Sequence, residues 1–126
     1  MNIDDLTIKQ AKELAAMFGS GNQKEHVSPH IGKTCIIRTY ASGVHFGTLV
    51  ESHGREVLLH DARRIWRFDV KSHGISLSEV ANHGTTDSRS KVCETVREIT
   101  LLDALEIIPC TPEAIDVIRN MPVAKP

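Results

Sequence analysis

The sequence predicts a mainly β domain of the α+β class. It would be a small, curved sheet or barrel of five to six strands, with an N-terminal helix, a short inserted helix and a C-terminal helix. Three observations predict it. Short runs rich in β-branched residues recur from Ile31 onward and are separated by glycine-containing turns. Capping signals at Ser76 and Thr111 open two short helical patterns. The chain of 126 residues is long enough for one modest core and too short for two ordinary domains.

The elements follow in order. Thr7, with Gln10 three residues on, can cap a helix over 7–18, where Ala11, Leu14, Ala15 and Phe18 share a face. Gly19 stops it, and the polar stretch 19–24 reads as a linker. The expected division is therefore 1–24 as helix and linker and 25–126 as the β-rich ligand-binding domain. Thr34–Tyr40 and Val44–Val50 form a hairpin about Ala41-Ser42-Gly43. Ser52-His53-Gly54 turns the chain into a strand at Glu56–His60, and Ala62–Phe68 reads as a separate fourth strand. In that fourth strand Arg64, Trp66 and Phe68 share one face, and Arg63, Ile65 and Arg67 the other.

Ser76 with Glu79 at the third helical position opens a short helix that Gly84 ends. A polar loop, Thr85–Lys91, leads to strands at 92–102 and 104–108. Thr111-Pro112-Glu113 starts the last helix: a hydroxyl cap, a proline where the missing N–H costs nothing, and an acid at the positive end.

Composition bounds the function. Hydrophobic residues are 40% of the chain, charged residues 25%, and the formal net charge is −1. No global basic field draws the chain to nucleic acid or to an anionic membrane. No apolar run approaches the ~20 residues of a membrane span. The N-terminus lacks the basic and apolar regions of a secretory signal. Cys35, Cys93 and Cys110 lack any tight spacing and read as reduced thiols of a cytoplasmic protein.

The charge is unevenly spread. Residues 33–73 carry a net +3 and residues 98–126 a net −3. The basic segment holds the most informative stretch, Ala62-Arg63-Arg64-Ile65-Trp66-Arg67, with the only tryptophan. Guanidinium groups match phosphate in bidentate fashion, and an indole face stacks a base. The competing reading puts Trp66 in the core and the arginines on a solvated strand face. Arg38 belongs to the same basic segment, and Asn82, His83 and Arg89 add an amide, an imidazole and a further guanidinium. With His45 these residues carry the chemistry of a nucleotide pocket, and the candidate ligand-binding set is Arg38, His45, Arg63, Arg64, Trp66, Arg67, Asn82, His83 and Arg89.

No nucleophile elbow, P-loop, GxGxxG or HExxH motif occurs, so no catalytic residue is assigned and no enzyme is expected. Glu94 and Glu98 read as solvated strand residues. His26 and His30 have helical ligand spacing but bracket Ser28-Pro29, and no CxxC pair is present, so neither a metal nor a cofactor is expected.

Four strings resemble a family of small proteins encoded by tailed phages and prophages. They are Ile31-Gly32-Lys33 with Ile37–Gly47, Ala62–Trp66, Ser76–Ala81 and Glu106–Thr111. The resemblance runs from about Ile31 to Arg119 and extends to the phage Thoeris anti-defence sponges. It implies an oligomeric protein in the cytoplasm of an infected bacterium that sequesters a cyclic ADP-ribose-type or cyclic oligonucleotide signal. No binding residue is carried over from the sponges by position; the candidate set rests on chemistry alone.

A second resemblance, Gly47–Val50 with Glu56–Ala62, is to Sm-like barrels and implies a bent five-stranded sheet and an RNA-binding ring. Ile107-Ile108-Pro109-Cys110 stands where that fold has an Arg-Gly pair, which counts against RNA. A third expectation is a phage inhibitor that docks on a host protein through its acidic C-terminal segment.

Overall fold

The computed structural model describes residues 28–70 and 76–125. The expected helix at 7–18 and the linker at 19–24 lie outside the described residues. The elements are β1 (Thr34–Thr39), β2 (Val44–His53), β3 (Glu56–Arg67), α1 (Leu77–His83), β4 (Lys91–Leu101), β5 (Ala104–Pro109) and α2 (Pro112–Arg119). The five strands form one antiparallel sheet in the order β4-β3-β2-β1-β5. The protein is thus mainly β, with a curved five-stranded sheet and two short helices.

The curvature follows from connectivity. β4 and β5 occupy opposite edges of the sheet, yet only Leu102 and Asp103 join them. The sheet must curl until its two edges approach at that end. Hydrogen bonds across the gap hold the curl: Ala104 N donates to the Arg55 carbonyl at 2.9 Å, and Tyr40 N donates to the Asp103 carbonyl at 3.0 Å. β4 and β5 form no ladder with each other, so the sheet is not closed into a barrel.

The expected third and fourth strands are one strand. Gly47 on β2 faces the pair Asp61 and Ala62 on β3, because the register steps between Phe46↔Arg63 and Thr48↔His60. This is a bulge, with Asp61 in the left-handed region at φ 51°. A Cβ on Gly47 would lie 3.1 Å from the Ala62 Cα, so glycine permits the close approach of the two backbones. Leu59 and Ala62 both belong to the inner core, although they stand three positions apart in one strand. The interruption of the alternation is real; its cause is a bulge and not a turn.

Each face of the sheet has its own core. The inner, concave face gathers Cys35, Ile37, Leu49, Val57, Leu59, Ala62, Leu101 and Ala104. The outer face packs Ile36, Phe46, Ile65 and Val92 under Val80 and Ala81 of α1 and Ile118 of α2. Cover on both faces explains the unbroken apolar run Cys35-Ile36-Ile37, all fully buried.

Both helices begin as the sequence predicts. The Ser76 hydroxyl accepts from Ser78 N at 3.2 Å and the Glu79 carboxylate from Ser76 N at 2.9 Å, which completes a capping box. Thr111 accepts from Ala114 N at 3.1 Å and donates to the Asn82 carbonyl at 2.6 Å, so one side chain starts α2 and ties it to the end of α1. Beyond α2, the segment 122–125 returns to the sheet as a strap: Val123 bridges Val92 in parallel, and Ala124 N donates to the Val92 carbonyl at 2.9 Å. No helix among the described residues is long and apolar enough to cross a membrane.

Candidate ligand-binding groove

The bulge at Asp61 decides which way the basic stretch faces. Arg63 and Ile65 turn to the helix-covered side, while Ala62, Arg64 and Trp66 turn to the other. Trp66 is 70% exposed, so it is not a core residue. It lines a cavity of about 410 Å³ with Lys91 and Cys93 of β4 and with Ala124 and Lys125 of the strap. A second, smaller cavity of about 200 Å³ adjoins it, lined by His45, Ala62, Arg64, Cys93, Glu94, Val96 and Ile99. Cys93 lines both, so the two lie side by side along the β3–β4 ladder, and together they make the candidate groove.

The lining of the groove carries three cations, Arg64, Lys91 and Lys125, against one carboxylate, Glu94. None of the three cations takes part in an ion pair among the described residues. His45 is 1% exposed, and its Nε2 lies 3.0 Å from the Ser42 carbonyl. A carbonyl only accepts, so Nε2 carries the proton. Burial, and then the Arg64 charge, hold the His45 pKa below its usual value, so the ring is neutral at neutral pH and Nδ1 is its acceptor.

The structure brings together three of the nine candidates, His45, Arg64 and Trp66, and places the other six elsewhere. Arg63 is 3% exposed and sits on the helix side. Its guanidinium donates to the carbonyls of Cys93 at 2.8 Å, Ile118 at 2.8 Å and Met121 at 2.7 Å, so its donors are used within the fold. Arg38 pairs with Glu106 at 2.7 Å and lines a separate cavity with Val44, Phe68 and Leu77. Arg67 and Arg89 pair with Asp69 and Asp87. Asn82 and His83 lie on α1, across the sheet from the groove.

Lys91, Cys93 and Lys125 line the groove although none of them belongs to the candidate ligand-binding set. The register Arg67↔Lys91 and Ile65↔Val92 sets Lys91 and Cys93 beside Trp66. Strand pairing of this kind leaves no local signal. Lys125 arrives only because the strap folds back onto β4.

The thiols differ in setting. Burial pushes Cys35 up to about 11 and Cys110 up to about 12, so both are inert thiols under the sheet and helices. No group of three or more His, Cys, Asp or Glu residues among the described residues could hold a metal ion.

No curated protein and no solved structure matches the chain. A family profile does match it over residues 32–118, a span that takes in all five strands and nearly all of α2. The chain therefore belongs to the family described as Domain of unknown function (DUF6948).

Proposed function

We propose that the chain is a non-enzymatic binding protein that captures a small nucleotide-type ligand in the groove. The observation that carries this reading is the solvent-facing Trp66 indole in a cavity flanked by Lys91 and Lys125. Within the chain the indole is left 70% exposed; it offers a face on which a base stacks, worth about 1–3 kcal/mol. Ammonium groups without carboxylate partners suit phosphate, and each charge-assisted hydrogen bond contributes about 1.5–3 kcal/mol. The groove pairs these two chemistries, which is what a base linked to phosphate requires. The resemblance to phage sponge proteins supports holding the ligand without turnover, as part of countering a host defence that signals through cyclic nucleotides.

Trp66 is the only tryptophan, so its fluorescence reports the site directly. Titration with ADP is expected to quench it in a saturable manner, with heat-released ligand recovered intact by chromatography. Trp66→Ala and Lys91→Ala should each weaken retention by about tenfold or more. A recovered ligand that has been chemically altered would make the protein an enzyme, and no quenching by any of a panel of linear and cyclic nucleotides would remove the reading.

A further inference from the structure

Arg63 lines neither cavity of the groove, yet it bonds to both segments that wall the larger one. Its Nε donates to the Cys93 carbonyl of β4 at 2.8 Å. Its Nη1 donates to the Met121 carbonyl at 2.7 Å, immediately before the strap, and to the Ile118 carbonyl at 2.8 Å. One planar guanidinium thus fixes the β4 wall, with Lys91 and Cys93, against the start of the strap that carries Ala124 and Lys125. Beyond Met121, the described backbone contacts of the strap are the Val92–Val123 bridge and the bond from Ala124 N to Val92.

The geometry points to Arg63 as a positioning residue: it sets Lys125 at the distance from Trp66 and Lys91 at which a ligand's phosphate meets both ammonium groups. The inference rests on the nucleotide reading of the groove. Arginine is needed because the task is a fork. Its donors diverge in fixed directions to carbonyls on two chain segments, whereas an ammonium is a single point on a flexible stem. Among the described residues no carboxylate is a hydrogen-bond partner of Arg63, and the Ile118 carbonyl belongs to the C-terminal turn of α2, where the helix dipole favours a cation.

A double-mutant cycle tests it on the full chain, with ADP and adenosine as probes and Trp66 quenching as the signal. Arg63→Lys is first checked by denaturation, and binding is read where each variant is fully folded. Arg63→Lys is expected to weaken ADP about tenfold and adenosine less than about twofold, since adenosine has no phosphate to reach Lys125. In a Lys125→Ala background, Arg63→Lys should cost ADP almost nothing more. Additive effects of the two substitutions would overturn the inference, as would equal losses for ADP and adenosine. If wild-type protein binds neither probe, the cycle is run with a nucleotide of the panel that quenches Trp66 and its nucleoside; if none quenches, the nucleotide reading falls and this inference with it. If wild type binds ADP and the cycle is additive, only the role of Arg63 falls. Should Arg63→Lys prove unfolded, the same cycle is run with Arg63→Gln, which keeps one donor for one carbonyl.

Discussion

Two buried polar side chains, Arg63 and His45, govern stability differently. Arg63→Met leaves the carbonyls of Cys93 and Met121 without the guanidinium donor, while the Ile118 carbonyl keeps Met121 N at 3.3 Å. Unsatisfied buried groups cost about 1–3 kcal/mol each, partly recovered by water, so a net loss of about 2–5 kcal/mol is expected in urea denaturation. A loss below about 1 kcal/mol would mean that water replaces the guanidinium freely. For His45 the sign is set by burial: its folded pKa lies below the usual 6.5. As pH falls through the unfolded value, the unfolded chain takes up a proton that the folded chain refuses. Stability associated with His45 is therefore fully present above pH 6.5 and declines below it, down to the folded pKa. Wild type should lose more stability than His45→Gln between neutral and mildly acidic pH, and parallel pH profiles for the two would contradict this account.

At the scale of elements, the junction between α1 and α2 depends on Gly84. Its φ of +83° and ψ of −173° fall where only glycine is comfortable. A Cβ there would also lie 2.7 Å from the Val117 Cβ of α2. Gly43 has φ +89° but no neighbour within 4 Å. Gly43→Ala therefore carries the backbone strain alone, and Gly84→Ala the strain plus the clash. We expect Gly84→Ala to destabilise by at least about 1 kcal/mol more than Gly43→Ala by thermal and chemical denaturation; equal losses would show that α2 yields without cost. Elements whose cause is local were legible in the sequence. Ser76 with Glu79, Gly84, and Thr111 with Pro112 mark helix ends through their own hydrogen bonds and dihedral preferences, and the helices stand where those residues put them. β3 reads as two strands in the sequence because its interruption at Asp61 comes from the partner strand: Gly47 and the bulge opposite it have no local signature that separates them from a turn. The groove was legible to the same extent. Arg64 and Trp66 share a face by strand alternation, which a sequence shows. Arg63 looks like the same kind of residue, and only the carbonyls converging on it from β4 and α2 set it apart.

On the scale of the whole molecule, a net charge of −1 gives no long-range attraction for an anion, so the groove must act through its own charges. Screening confines exposed charges to about 8 Å at physiological salt, so only charges at the groove itself count. Among the residues lining its two cavities, Arg64, Lys91 and Lys125 are the cations and Glu94 the only acid. If affinity for a nucleotide comes from this local balance, neutralising Glu94 removes a repulsion and strengthens binding. Exposed charge pairs are worth about 0.2–1 kcal/mol, so Glu94→Gln should tighten ADP by up to about fivefold at low ionic strength. The advantage should shrink toward nothing near 1 M salt, where the Debye length falls to about 3 Å. Weaker ADP binding by Glu94→Gln would mean that the carboxylate accepts a hydrogen bond from the ligand, and the smaller cavity would then be the seat of recognition. A gain that persists at high salt would point to a change in packing and not in field. The two variables together, substitution and salt, separate a groove that selects by charge from one that selects by hydrogen bonding.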